Sequence, residues 1–143
     1  MALISLALLV SAPARAQDLS PVGRWRTVDD RTHVEKSVVR ITEVNGEIQG
    51  IVEVVFSPPA PNPTPICQKC PGVFKDKPVV GMRVLWGLKK DGDEYTGGHV
   101  FDPDNQKTYK CKLKVVDGGR ALELRGYIGF SMIGRTQTWK REP

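Results

Sequence analysis

The amino-acid sequence predicts an all-β protein, an eight-stranded antiparallel up-and-down barrel, and three observations lead to this fold class. Helical periodicity is nearly absent, and apolar and polar residues alternate in short runs instead. Gly, Pro, Asn and Asp separate these runs. Tight and long connections alternate along the chain, so each kind gathers at one end of such a barrel. A two-sheet sandwich is the competing architecture.

Eight segments carry the strand pattern, and the sequence shows neither an internal repeat nor a second domain. These segments are 22–28, 37–44, 47–56, 82–90, 94–101, 108–116, 120–128 and 135–141. Eight antiparallel strands are enough to close a barrel, and closure removes the exposed edges of an open sheet. Several segments contain Gly, which in a strand often marks a bulge or a barrel corner.

The connections define two ends of the predicted barrel. Three are tight, at 45–46, 91–93 and 117–119, and the first is Asn45-Gly46, a favoured hairpin turn. The other four are longer, at 29–36, 57–81, 102–107 and 129–134. We therefore expect a floor formed by the tight turns and a mouth formed by the long connections.

The N-terminus has the pattern of a secretory signal peptide. An apolar run over residues 2–10 is followed by Ala14-Arg15-Ala16, an A-x-A pattern that predicts cleavage after Ala16. The run is roughly half the ~20 residues that a membrane-spanning helix needs, so we do not expect a transmembrane protein. The sequence thus predicts a signal peptide at 1–16, a single barrel domain at 17–143, and a periplasmic or secreted location.

The formal net charge of +5 does not indicate a nucleic-acid partner. Lys110, Lys112 and Lys114 resemble a basic stripe, but they alternate with Tyr109 and Cys111 along one strand. This spacing places the three lysines on the solvated face, where lysine protects sheet edges and solubility.

One tryptophan and one arginine are expected to close the floor. The first strand contains Gly23-Arg24-Trp25, and the last ends with Trp139-Lys140-Arg141. In a closed antiparallel barrel the end of the last strand lies beside the start of the first. Arg141 is then placed to cover the face of Trp25, a structural contact of ~1–2 kcal/mol if partly desolvated. The alternative is an unrelated core Trp.

Four segments resemble a known family of exported bacterial proteins. They are GRW, PVVGMRVLWGLKKDGDEYTGGHVFDP, KTYKCKL and LRGYIGFSMIGRTQTWKR, and the resemblance covers nearly all of 21–141. The family is catalogued as a domain of unknown function and is associated with a lipocalin-like, calycin-type barrel. The resemblance therefore implies the same barrel but no established activity, and the segment from Cys67 to Cys70 also fits the family pattern.

Alternation nominates a mostly apolar barrel interior with a few polar groups near the mouth. The nominated residues are Ile48, Val52, Val54, Phe56, Met82, Val84, Trp86, Leu88, Tyr109, Cys111, Leu113, Val115, Leu122 and Leu124. Arg135 and Gln137 share a face with Trp139, and His99 shares one with Tyr95 and Phe101. An apolar pocket with a few polar groups is a common ligand site. The candidate ligand-binding residues are Trp86, His99, Phe101, Tyr109, Arg135, Gln137 and Trp139. A filled core is the alternative.

Cys67 and Cys70 form a C-x-x-C motif in the longest mouth connection, and three chemistries compete for it. A closed zinc site needs about four ligands, so Cys111 would have to be one of them. Its strand places Cys111 in the middle of the barrel, too deep for a connection at the mouth to reach easily. Redox catalysis requires a thioredoxin-like setting that an all-β chain lacks. An oxidising compartment favours a disulfide. Cys67–Cys70 is the local pairing, and pairing of Cys111 with either loop cysteine is the alternative.

The sequence predicts a non-enzymatic barrel that binds a small apolar or amphipathic ligand, without a cofactor or metal. No convincing nucleophile or catalytic base is visible. The alternative is an interaction module of the cell envelope with a filled core. The connection from Tyr127 to Gly134 motivates it, because Phe130 and Met132 are unusual in a surface loop and indicate either a lid or a patch for an envelope protein.

Overall fold

The computed structural model describes residues 19–56, 65–129 and 133–143. The described residues form ten strands: β1 Gly23–Val28, β2 Glu35–Val44, β3 Glu47–Val55, β4 Ile66–Cys67, β5 Lys77–Pro78, β6 Arg83–Asp91, β7 Glu94–Asp102, β8 Lys107–Val116, β9 Ala121–Tyr127 and β10 Gly134–Arg141. Single 3₁₀ turns lie at Gly72–Phe74 and Asp117–Gly119. The predicted signal peptide at 1–16 and the patch residues Phe130 and Met132 lie outside the described residues.

Eight of the strands form one closed antiparallel barrel in the order β1-β10-β9-β8-β7-β6-β3-β2. The predicted fold class is therefore confirmed, and the sandwich is excluded. Closure is made by β1 and β10, with Trp25 opposite Arg141 and Arg26 opposite Lys140. The two remaining strands, β4 and β5, pair with each other in a small ribbon that the alternation did not predict. Among the described residues, no helix has the length and apolar character needed to cross a membrane.

Tight turns form the floor of the barrel because each follows a strand that runs toward that end. Asn45 and Gly46 have φ angles of 53° and 77°, as expected for the hairpin turn between β2 and β3. Asp117, Gly118 and Gly119 also have positive φ angles between β8 and β9. Glycine, Asn and Asp tolerate this backbone region, so the turn chemistry of the sequence determines which end is closed.

The lower half of the barrel is a filled apolar core. Its fully buried side chains are Trp25, Ile41, Ile48, Leu88, Leu113 and Leu122. The Trp25 indole N–H donates to the carbonyl of Pro21 at 2.7 Å. The Arg141 guanidinium lies over the Trp25 ring, 4.2 Å from its centroid. The contact that the floor prediction expected is present, and it joins the first and last strands of the barrel.

Beta-bulges shift the alternation of three strands and turn some nominated residues outward. In β6, Leu88 lies opposite Ile48 and Leu85 opposite Gly50, so three steps on β6 match two on β3. Trp86 therefore leaves the inner face, and Leu85 takes the inner position.

The same effect appears in β7 and β3. Tyr95 lies opposite Leu113 and Gly98 opposite Cys111, so His99 falls on the face opposite to that of Tyr95. A bulge between β2 and β3 turns Val54 outward. Phe56 lies on the outer wall too, where the Arg26 guanidinium sits 5.1 Å from its ring centroid. The expected inward positions of Trp86, His99, Val54 and Phe56 are therefore wrong.

Candidate functional site

A cavity of about 970 Å³ occupies the mouth half of the barrel. This volume is near the upper end of the ~300–1,000 Å³ typical of small-molecule sites. Its wall comes from the inner faces of the strands, and its rim comes from the four long connections, represented by Asp30, Ile66, Asp104 and Ile128. The up-and-down topology explains this position, because it delivers all four long connections to the same end.

The lower wall of the cavity is apolar. It is formed by Val39, Val52, Val84, Val100, Leu124 and Trp139. Most of these side chains are buried, with Val39 at 1% and Trp139 at 3% exposure. Gly126 also contributes to the wall, and a side chain there would meet Val100 and Tyr109. The absence of a side chain at Gly126 therefore keeps part of this volume open.

A polar network runs from the Trp139 indole up to the rim. The indole N–H donates to the side-chain amide oxygen of Gln137, Oε1, at 3.0 Å. Arg135, two residues nearer the mouth, forms a two-pronged ion pair with Asp30, whose Nε–Oδ2 distance is 2.8 Å. The Arg135 hydrogen bond, its charge and a hydrogen bond from Gln137 lower the pKa of Asp30, against the opposing effect of burial. The Asp30 carboxylate is thus held in its charged form.

Hydroxyl groups supply further polar atoms of the cavity wall. Thr27 and Ser37 lie opposite each other on β1 and β2, and their hydroxyl oxygens are 2.8 Å apart. The Asn105 amide donates to the Tyr109 hydroxyl oxygen at 2.8 Å. The wall therefore offers hydroxyl groups, which can donate or accept, in addition to the ion pair.

The structure separates the seven candidate ligand-binding residues into two groups. Phe101, Tyr109, Arg135, Gln137 and Trp139 border the cavity. Trp86 and His99 are not part of its described lining. Their rings stack on each other on the outer wall, with centroids 5.7 Å apart. Phe101 lies on the same outer face of the sheet as Trp86 and His99. It is buried, and it also borders the cavity.

The sequence reasoning missed Asp30, Thr27 and Ser37 as site residues. The topology itself contained the signal for Asp30. Because β1 and β10 are neighbours, the connection that follows β1 must lie beside the start of β10, where Arg135 is found. An acidic residue in that connection is therefore the natural partner of Arg135.

Residues 65–82, here called the mouth flap, carry the two cysteines of the C-x-x-C motif. Cys67 and Cys70 form a disulfide, which confirms the local pairing. Cys111 is free and buried in the barrel, and burial raises the pKa of its thiol to about 12. Pairing of Cys111 with the flap is therefore excluded. In the described part of the chain, no group of three or more His, Cys, Asp or Glu side chains is arranged to hold a metal ion.

The mouth flap is anchored on the outer wall by an aromatic stack. Phe74 lies parallel to Phe101, with ring centroids 4.0 Å apart, and 6.3 Å from Trp86. Backbone hydrogen bonds from Asp76 to Cys67 and from Val79 to Pro65 hold the flap to itself. Pro65, Ile66, Cys67 and Val79 border the cavity. The flap therefore forms one side of the mouth, and its Phe74 side chain packs on the outer wall of the barrel.

These features define a class of protein: a lipocalin-like barrel with a closed floor, an open mouth and an internal cavity. A solved structure, protein HP1028 from Helicobacter pylori, described as belonging to the lipocalin family, superposes on this chain with a TM-score of 0.74. The two chains are 21% identical, and the match covers 87% of this chain and 84% of the other. This likeness is one of fold.

The chain belongs to the family DUF2147, described as an uncharacterized protein conserved in bacteria, whose pattern it matches over residues 23–141. The match spans the barrel from the first residue of β1 to the last of β10. No curated protein matches the sequence.

Proposed function

We propose that this protein is a non-enzymatic binding protein that holds a small apolar or amphipathic ligand in the barrel cavity. The observation that carries the proposal is the cavity of about 970 Å³ above a filled floor. Its lower wall is apolar, which favours an alkyl or ring portion, and its polar groups lie toward the mouth, which favours a polar head near solvent. A filled core would have left no such volume.

The proposal is tested by filling the cavity from one strand. Val52 is buried and borders the cavity, whereas Val54 is 39% exposed on the outer wall of the same strand. Phe at position 52 adds volume inside the cavity, and Phe at position 54 adds it in solvent. We expect Val52→Phe to weaken binding of dodecanol or an apolar dye at least tenfold, with Val54→Phe unchanged.

Native mass spectrometry of gently purified protein supplies an independent measurement. A co-purified small molecule, lost from Val52→Phe and retained by Val54→Phe, supports the proposal. The absence of any bound molecule, together with no binding across a panel of lipids and apolar dyes, contradicts it. Thermal unfolding of both variants shows whether lost binding reflects a filled cavity or a damaged fold.

We also propose that the protein is exported. The disulfide between Cys67 and Cys70 is typical of an oxidising compartment, and the family is bacterial. The predicted signal peptide at 1–16 is the sequence basis of this proposal. The test is the intact mass of the protein from its native host. A mature chain beginning at Gln17 is expected, and a full-length chain in the cytoplasmic fraction would contradict export.

A second candidate function, contact with a cell-envelope protein, is favoured by apolar side chains at the mouth. Ile128 is 66% exposed and Ile133 is 70% exposed, on either side of the segment that contains Phe130 and Met132. In vivo crosslinking tests it with Ile133→Asp, and Val44→Asp near the floor is the control, since Val44 is also exposed. A partner lost only with Ile133→Asp supports this function, and crosslinks unaffected by either variant contradict it.

A further inference from the structure

Two cationic side chains at the cavity are already paired with carboxylates of the protein. Arg135 is held by Asp30, and Lys36 on the rim lies 3.3 Å from a carboxylate oxygen of Asp104. Within the described ranges, every buried side-chain nitrogen and oxygen atom has a hydrogen-bond partner. The Arg135 guanidinium on the cavity wall and the Lys36 ammonium on the rim are therefore already matched by carboxylates of the protein.

The Asp30–Arg135 pair is placed where a ligand's polar head would lie. Arg135 projects from the inner face of β10, opposite Gly126, and Asp30 reaches it from the connection after β1. The Asp30 side chain is 21% exposed, so losing its partner would leave a partly buried carboxylate uncompensated. An anionic head that approaches the Nε and Nη2 edge of Arg135 must displace this carboxylate, and one that approaches another edge meets its negative charge nearby.

The neighbouring charges do not change this balance. The Asp29 carboxylate accepts hydrogen bonds from the backbone N–H groups of Arg31 and Thr32, at 2.9 and 2.8 Å, so its own turn occupies it. Arg31 and Lys69 also border the mouth, but both are exposed. An ion pair formed there in water contributes little.

We infer that the site selects an uncharged amphipathic ligand over an anionic one of the same chain, and that Asp30 sets this preference by occupying the guanidinium of Arg135. This inference rests on the proposed function. A hydroxyl or ester head can exchange hydrogen bonds with the hydroxyl groups of Thr27, Ser37 and Tyr109 without breaking an ion pair. A carboxylate or phosphate head gains the paired edge of Arg135 only at the expense of Asp30, and it is repelled by Asp30 at the other edges.

The experiment compares dodecanol with dodecanoate at neutral pH, below the concentrations at which either aggregates. Titration calorimetry or displacement of a bound neutral dye measures both affinities on the same protein. We expect the wild-type protein to bind dodecanol at least about tenfold more tightly than dodecanoate. Asp30→Asn leaves Arg135 without its carboxylate, so we expect dodecanoate to bind about tenfold or more tightly than it does to wild type. Dodecanol binding should change less than threefold.

Matched variants separate the local ion pair from net charge. Asp117→Asn removes one negative charge at the floor, at a backbone φ of 51° that Asn also tolerates, and should leave both affinities unchanged. Asp30→Asn combined with Arg135→Gln should lose the gain in dodecanoate binding. If Asp30→Asn does not fold, Asp30→Ser repeats the test. The serine side chain carries no charge and is too short to hold the Arg135 guanidinium.

The outcomes distinguish this inference from the proposed function. If the wild-type protein binds dodecanoate as tightly as dodecanol, or if Asp30→Asn leaves the ratio unchanged, the inference is wrong while the cavity still binds ligands. If wild type and Val52→Phe both fail to bind either molecule, the proposed function falls and this inference falls with it.

Discussion

Arg141 is the residue whose loss should most weaken the floor, and the structure allows the effect to be worked out. Its guanidinium covers the Trp25 ring and donates to three carbonyl groups, those of Gly119, Val22 and Ser20. These groups belong to the connection between β8 and β9 and to the chain that leads into β1. The Arg141 side chain, at the end of β10, therefore joins the last strand to the start of the first strand and to a floor turn.

The expected cost of Arg141→Met is the sum of two kinds of interaction. A partly desolvated cation–π contact contributes about 1–2 kcal/mol. The three hydrogen bonds, two of them exposed, contribute together about 2 kcal/mol. A loss of ~3–4 kcal/mol is a large share of the ~5–15 kcal/mol that stabilises a typical domain. It corresponds to a fall in Tm of roughly 10–15 °C for a barrel of this size.

Thermal and urea unfolding followed by circular dichroism measure this loss. Lys140→Met is the control, because Lys140 is the adjacent exposed residue and makes an ion pair with Glu35 at 3.3 Å. It should lower stability by less than ~1 kcal/mol. Arg141→Lys keeps the charge but not the planar fork, so it should fall between the two. The reasoning is refuted if Arg141→Met unfolds at the same temperature as Lys140→Met.

Three further predictions concern the wall, the flap and the charge pairs. Gly98→Ala places a methyl group against Leu88 and 2.8 Å from a backbone carbonyl, so differential scanning calorimetry should show a loss of ~1–3 kcal/mol; an unchanged Tm would contradict this. Phe74→Ala removes the flap anchor and should speed backbone amide exchange across 65–82 while leaving β9 protected. Glu53, held by two arginines, has a lowered pKa. Its stabilisation is therefore present above its unfolded pKa of about 4.5 and disappears as pH falls through the lower folded value. The Tm difference between wild type and Glu53→Gln should shrink from pH 7 to pH 3, and a constant difference would exclude ion pairing as its cause.

The fold was predictable because turn chemistry and alternation act locally. Asn45-Gly46 and Asp117-Gly118-Gly119 require positive φ angles, and these tight turns determine which connections lie at the floor. The contact between Trp25 and Arg141 followed from closure alone, since a closed barrel must place its last strand beside its first. The local disulfide was predictable because its two cysteines lie three residues apart.

The outward position of Trp86 and His99 was not predictable from alternation. A β-bulge adds a residue to one strand and reverses the facing of everything beyond it. The bulges of β6 and β7 coincide with Gly87 and Gly97, which have φ angles of 80° and 74°. Glycine in a strand indicates a bulge in general, but it does not state which neighbouring residue moves to the other face.

The cavity and the mouth flap have a common origin in these bulges. If β6 and β7 alternated without interruption, the rings of Trp86 and His99 would project into the mouth half of the barrel, where the open volume now lies. Turned outward, they form the apolar surface near which Phe74 packs. The same two glycine bulges therefore empty the interior and provide the support that holds the flap beside the opening. A barrel that binds a ligand needs both, because an empty interior without an ordered rim would offer volume but no defined place for the ligand's head.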